Sequence, residues 1–342
     1  MKAVRLQNGV LAVRDVPTPG LGADEALVRI SSAGVCHTDL HIRNGDWAAG
    51  QREITPLGHE GIGVVEALGA GAERFVRVGD RVILGLGGKG GYWCGACEYC
   101  LSGHPRHCAK AEGVLGVFAE QFAAYAPALV RIPDSLPDEE ASLACGGLTA
   151  YGAVKKLTEH DVHPGRWVAV IGAAGGLGHY AVQLARHFGY RVVGIDVGEE
   201  RLEFVRSLGA ELAFGPEDAA EAISTEIGGV DASLVFAARI SAFDLGFQLL
   251  RKRGLFVGVG LPPDRDGSIQ LSPMDLFFRD VTIIYSAIGT VQDMREVVDL
   301  ATAGHLKSHV SRTGRLTELD EIFEELQGGK YFGRAVITDM AN

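Results

Sequence analysis

The chain has 342 residues, 47% apolar and 22% charged, an ordinary globular composition with length enough for two domains. A formal charge of −11 without any dense Lys/Arg cluster excludes a nucleic-acid-binding class, which needs a basic face. Glycine, at 47 residues, is about twice its usual 7% share, so many tight turns and a close backbone approach to a ligand are expected.

Met1 to Arg5 runs directly into alternating strand-like sequence, without the charged and apolar regions of a secretory signal. No apolar run reaches the length of a membrane span. The expected location is the cytoplasm, with no membrane partner, and six cysteines there read as metal or catalytic groups rather than disulfides. From residue 1 to about 145, short β segments are cut by Gly and Pro, among them 26–30, 63–67, 81–84 and 122–125. They predict a small, partly open barrel with long functional loops.

One of those loops carries unusual chemistry. Between Cys36 and Glu60 lie a thiol, three imidazoles (His37, His41, His59), the Thr38 hydroxyl, and the carboxylates of Asp39 and Glu60. These are groups that a catalytic zinc site uses: ligands, supporting carboxylates and a path for a proton. Taken singly they are equally ordinary loop residues, with Asp39 a candidate helix N-cap.

Further on, Cys94, Cys97, Cys100 and Cys108 follow the spacing C-x2-C-x2-C-x7-C. Four thiolates this close can enclose a tetrahedral ion with no open position, which points to a structural zinc. An iron–sulfur cluster is the rival, but its common run places the fourth cysteine three residues on, before a proline. Here the gap is seven and Ala109 follows. His104 and His107, inside the lobe, read as exposed loop histidines, since four thiolates already saturate the ion.

After Cys145 the pattern changes. Residues 167–171 form a continuous apolar strand, followed by a glycine turn, a helical run over 176–188 and a second strand at 191–196. Strands at 232–236, 255–259 and 282–285 alternate with helix-like segments, predicting a doubly wound α/β domain. The tail holds two helical stretches and a closing strand at 334–338. The turn Gly172-Ala173-Ala174-Gly175-Gly176-Leu177-Gly178, set between strand and helix, suits a dinucleotide pyrophosphate. It departs from G-x-G-x-x-G, because Ala173 fills the first slot with Gly172 one place earlier. Asp196, ending the second strand, would bind an adenosine ribose and repel a 2′-phosphate. With Glu199 and Glu200 it favours NAD over NADP, and Arg201 is the counter-signal. Glu139-Glu140 and Glu199-Glu200 otherwise read as solvated helix starts, and His179, His187, His305 and His309 as surface or helix-face residues.

Together these motifs resemble the zinc-dependent medium-chain alcohol dehydrogenases of the yeast and bacterial type, over nearly the whole chain. The resemblance rests on Gly-Val-Cys-His-Thr-Asp-Leu-His at 34–41, Gly-Asp-Trp at 45–47 and Gly-His-Glu at 58–60. Three more segments support it: Cys-x-x-Cys-Glu-Tyr-Cys at 94–100, Cys-Gly-Gly-Leu-Thr-Ala-Tyr at 145–151, and the glycine turn at 172–178. It implies a GroES-like catalytic domain (1–147 and 287–342) interrupted by a Rossmann coenzyme domain (148–286). It further implies a catalytic zinc on Cys36, His59 and Cys145, with Glu60 an occasional ligand and Asp39 orienting the histidine. Two zincs per chain are then expected. His37, Thr149, Val259, Leu261 and Arg334 match cofactor contacts, and Trp47 and Trp93 match substrate-pocket residues. A homo-oligomer, tetramer or dimer, is also implied. The segment between Cys108 and Phe118 is shorter than in the family and lacks its common Asp-Gly.

The reaction implied is reversible oxidation of a primary or secondary alcohol to an aldehyde or ketone, with hydride passing to nicotinamide C4. Thr38 and His41 match the proton relay, in which Thr38 takes the hydroxyl proton and passes it through the cofactor ribose to His41 at the solvent border. Zinc lowers the pKa of bound water by roughly nine units, about 12 kcal/mol, whereas a positioned base contributes roughly 3–5 kcal/mol. The metal would therefore carry most of the activation. A zinc-free quinone or enoyl reductase, or a non-enzymatic binding protein on the same fold, are the alternatives, and Cys36, His59 and Cys145 count against the reductase.

Overall fold

The computed structural model describes residues 1–47, 54–85, 92–113 and 115–341. It divides into two compact units, Met1–Leu148 with Gly289–Asn342, and Thr149–Ile288.

The first unit is built on the strand Glu25–Val35, 11 residues long. Its first half alternates buried and less buried positions, the period of a strand with one solvated face. Its last four residues, Ser32 to Val35, run buried into Cys36. Around it the sheet order is Val310–Arg315, Arg334–Asp339, Glu25–Val35, Gly61–Leu68, Arg81–Leu84 and Val130–Arg131, with Gln121–Tyr125 also pairing with Glu25–Val35. All pairs are antiparallel except the first. The strand Val310–Arg315 has no counterpart in the sequence reading, because Ser, Arg, Thr and Gly fill most of it. A separate three-stranded sheet joins Val10–Asp15, Lys2–Gln7 and Ile54–Pro56. Val28, Val65, Leu57, Phe118 and Phe323 are fully or almost fully buried in the core between them. Each such side chain contributes roughly 1.5–3 kcal/mol by leaving water.

The second unit holds a six-stranded, wholly parallel sheet in the order Leu212–Phe214, Arg191–Ile195, Trp167–Ile171, Val230–Val235, Leu250–Gly258, Thr282–Tyr285. Numbered within the unit this is 3-2-1-4-5-6, the Rossmann order. Every residue of Trp167–Ile171 is buried, as a strand covered on both faces requires. The order reverses between Trp167–Ile171 and Val230–Val235, where a doubly wound sheet takes its ligand. The glycine turn leaves the first of these two strands.

Candidate active site

Cys36 ends the buried run of Glu25–Val35 and is the N-cap of a helix, His37–Asn44, where the sequence predicts a functional loop. Asp39 is therefore a first-turn residue of this helix and not its N-cap. Its side chain is fully buried, and Oδ1 accepts hydrogen bonds from the Gly58 N–H at 2.9 Å and His59 Nδ1 at 3.2 Å. A carboxylate only accepts, so the neutral His59 imidazole carries its proton on Nδ1 and presents a lone pair at Nε2. The His59 turn is also held from outside, since Gly116 and Val117 donate to Gly58 O at 2.9 and 3.1 Å.

Cys145 arrives from a different direction, as the C-cap of the 3-10 segment Asp138–Ala144. That segment is tied down by Arg81 on Asp138 at 2.5 Å and by the Ser32 hydroxyl on Asp138 O. Glu140, read from sequence as a solvated helix start, is instead buried, accepting from the Ser308 N–H and, at 2.5 Å, the Ser308 hydroxyl. Its buried carboxylate reaches a chain segment 168 residues away, which local pattern does not reveal.

The outcome is a cluster in which the ligand atoms of Cys36, His59, Glu60 and Cys145 all lie within 4.8 Å of one another. His59 Nε2 and Glu60 Oε1 are buried without a hydrogen-bond partner among the described residues. A cation there would satisfy both. The Cys36 thiol is held well below its ordinary pKa, chiefly by its hydrogen bond with Cys145, against the upward pull of burial. Burial pushes His59 down, but Asp39 and Cys145 together outweigh it and raise the imidazole well above its usual value. Burial lifts the Glu60 carboxyl to about 7, opposed by the Arg334 guanidinium that forms a buried ion pair with it. Thiol and imidazole donors with a carboxylate in reserve fit zinc.

In the second cluster the Sγ atoms of Cys94 and Cys100 are 3.9 Å apart, those of Cys97 and Cys100 3.5 Å. A tetrahedral zinc with bonds near 2.3 Å needs sulfurs about 3.8 Å apart. Cys108 completes the four. Backbone N–H groups of Ala96 and Cys97 lower the Cys94 thiol to about 6. His104 and His107 are outside this cluster, bonded to Ser102 and packed on Tyr99 respectively.

The chain's own sequence then finds its relatives. Residues 22–134 match the family model of the alcohol dehydrogenase GroES-like domain, and residues 176–303 that of the zinc-binding dehydrogenases. An alcohol dehydrogenase of Geobacillus stearothermophilus is 39% identical over 338 residues, 96% of each chain. The chain belongs to the zinc-type medium-chain alcohol dehydrogenases. The solved alcohol dehydrogenase of the hyperthermophilic archaeon Aeropyrum pernix is similar to it with a TM-score of 0.90 at 32% identity, over 99% of this chain and 100% of that one. A cobalt- and zinc-bound thermostable alcohol dehydrogenase from Pyrobaculum aerophilum gives 0.86 at 27% identity, over 99% of each chain.

His37 and Thr38 open the helix His37–Asn44, with His37 exposed. His41 does not border solvent as expected: it is buried, and its Nδ1 lies 2.7 Å from Oδ2 of Asp46. Asp46 carries no relay or metal signal of its own in the sequence, and the helix end brings it to His41. Trp47 packs on His41 with ring centroids 4.6 Å apart. Trp93 sits edge-on to Tyr125, which pairs with Glu25. The adjoining residues 86–91 are outside the described residues.

In the second unit Gly172 takes the left-handed conformation, φ 81°, directly after Trp167–Ile171. Its N–H and that of Ala173 donate to Ile195 O, and Gly175 N–H returns to Gly172 O at 3.1 Å. Gly176 continues the turn to Leu177, the N-cap of the helix Gly178–His187. Gly178 has to be glycine, since a Cβ there would overlap Gly172 O. His179 is not a surface residue but fully buried, with Nδ1 2.9 Å from Gly175 O, so it braces the turn from within the helix. Asp196 Oδ2 accepts from Ala174 N–H and Oδ1 from Val197 N–H, both at 2.8 Å. Arg201 stands 3.6 Å from the same carboxylate. Val259 is buried after Leu250–Gly258, Leu261 is 57% exposed, and Thr149 is buried in the helix Gly146–Glu159. No helix of the described residues is long and apolar enough to cross a membrane.

Proposed function

We propose that this dehydrogenase oxidises primary or secondary alcohols with NAD, using one zinc on Cys36, His59 and Cys145 and a second, structural zinc in the cysteine lobe. The observation that carries the reading is the buried His59, fixed by Asp39 at Nδ1 and turned with an unpartnered Nε2 toward two thiols. Zinc held there would lower the pKa of an alcohol hydroxyl, and the nicotinamide would accept the hydride that follows. The chain's own contribution is to place and discharge. Asp39 holds the imidazole in one tautomer, and Glu60 is kept beside the cluster by Arg334 as a reserve ligand. Thr38 takes the hydroxyl proton, and His41 is its later acceptor. Asp196 favours NAD, because a 2′-phosphate would meet a carboxylate already fixed by two backbone N–H groups, and Arg201 is engaged by that same carboxylate.

Self-association is part of the same reading. Met274, Phe277 and Phe278 are 64%, 78% and 65% exposed on the helix Pro273–Arg279, next in sequence to the edge strand Thr282–Tyr285. An apolar patch beside an open sheet edge suits a second copy of this chain. A screen of straight-chain, branched, cyclic and benzylic alcohols with NAD and NADP tests the function. Turnover with NAD supports it, and no alcohol turnover in zinc-loaded protein contradicts it.

A further inference from the structure

The helix His37–Asn44 ends at Gly45, whose left-handed conformation, φ 69°, folds the chain back on the last turn. Asp46 N–H then donates to His41 O at 3.0 Å, and Asp46 Oδ2 meets His41 Nδ1 at 2.7 Å. Both side chains are nearly closed to solvent, 10% and 3% exposed. Trp47 covers the ring, and the His37 ring is 6.2 Å away.

We propose that Asp46 is a positioning residue for proton removal, which acts by holding His41 with its proton on Nδ1 and its lone pair on Nε2. The inference rests on the alcohol oxidation proposed above. An ionised carboxylate accepts but cannot donate, so the neutral imidazole in this contact is the Nδ1–H tautomer. Nε2 is then the one ring nitrogen able to accept. The proton that leaves the alcohol forms an N–H bond at Nε2, giving an imidazolium whose charge faces the Asp46 carboxylate. The Nδ1–H bond is unchanged, and the carboxylate remains ionised throughout. Onward loss of that proton breaks the new Nε2–H bond and restores the starting tautomer. Two features point to pairing rather than a chance contact. The backbone and side chain of Asp46 both engage His41, and burial of the pair removes the water that would weaken the attraction.

The test is a double-mutant cycle on zinc-loaded enzyme with Asp46→Asn, His41→Gln and the double variant, read by kcat and KM for an alcohol the unaltered enzyme oxidises. Asp46→Asn should lower kcat about tenfold with little change in KM, and added small bases such as imidazole should restore part of it. In the His41→Gln background the same substitution should cost nothing further, because its effect passes through the imidazole. A full additional loss in the double variant, or a rise in KM without base rescue, overturns the proposal. Nuclear magnetic resonance of the His41 ring supplies a readout independent of turnover. A downfield Nδ1 proton in the unaltered protein, absent in Asp46→Asn, supports the pairing, and its absence from both overturns it. If the unaltered chain oxidises no alcohol, the proposed reaction falls, and the ring spectrum alone then decides whether Asp46 fixes the tautomer.

Discussion

Asp39 and His59 are joined by a buried hydrogen bond, Oδ1 to Nδ1 at 3.2 Å, and the same oxygen also holds the Gly58 N–H. One carboxylate thus sets both the tautomer of the imidazole and the backbone turn that delivers it. Loss of such a support lowers metal affinity roughly 10–100-fold. Asp39→Asn should therefore release one zinc to a competing chelator at correspondingly lower concentration, while the other zinc stays bound. Identical release profiles would reduce Asp39 to a packing role.

The cysteine lobe should behave as a structural site. Structural zinc binding is folding free energy, of order 10 kcal/mol in small domains. Cys97→Ser should lose one zinc and lower the melting temperature by at least about 5 °C, given that 1 kcal/mol moves a domain of this size by roughly 2–4 °C. Alcohol turnover at low temperature should largely survive. An unchanged melting temperature would show that the lobe does not support the fold.

Glu140 makes stability depend on pH in a defined direction. Burial raises its pKa in the folded chain, although the Ser308 hydrogen bonds pull the other way. A raised folded pKa means that the folded state holds the proton more tightly than the unfolded chain. Its contribution is fully present below the unfolded value, near 4.3, and is lost as pH rises through the folded value. Denaturant unfolding of the native chain and Glu140→Gln at pH 4 to 8 should show the native chain losing ground over that window and the difference flat above it. A difference that grows in favour of the native chain with rising pH would reverse the sign and refute the burial argument.

The glycine turn offers a graded test. A Cβ at Gly178 would overlap Gly172 O and lie 2.7 Å from Ala173 Cα, whereas at Gly175 it would sit 3.2 Å from Gly172 O. Gly178→Ala should destabilise the fold by roughly 1–3 kcal/mol and weaken NAD binding measured by calorimetry. Gly175→Ala should do less of both. Equal effects would mean that the turn relaxes around either methyl group.

The strands and the cofactor turn were legible because their signals are local. An unbroken apolar run at 167–171, or glycines between strand and helix, need no distant partner to be recognised. The four lobe cysteines were legible for the same reason, lying within 15 residues of one another as numbered, Cys94 to Cys108. What the sequence hid depends on contacts across the chain or on a turn of unexpected geometry. Glu140 looked solvated until Ser308 was placed beside it. His179 looked like a helix-face residue, yet its ring is inside and bonded to Gly175 O. Gly34 carries no local signature, but a Cβ there would strike the Glu60 carboxylate and crowd Ser142 Oγ at 2.6 Å. The role of Asp46 requires knowing that a helix ends at Gly45, in a segment that reads as a loop from sequence.

The central claim is that Cys36, His59 and Cys145 hold a zinc on which activity depends. Zinc counted per chain in purified native protein and in Cys36→Ala, with alcohol turnover on the same samples, tests it most directly. Two zincs in the native chain, falling to one with loss of turnover and a retained fold in Cys36→Ala, is the predicted result. A Cys36→Ala protein that keeps both zincs, or keeps substantial turnover, would contradict it.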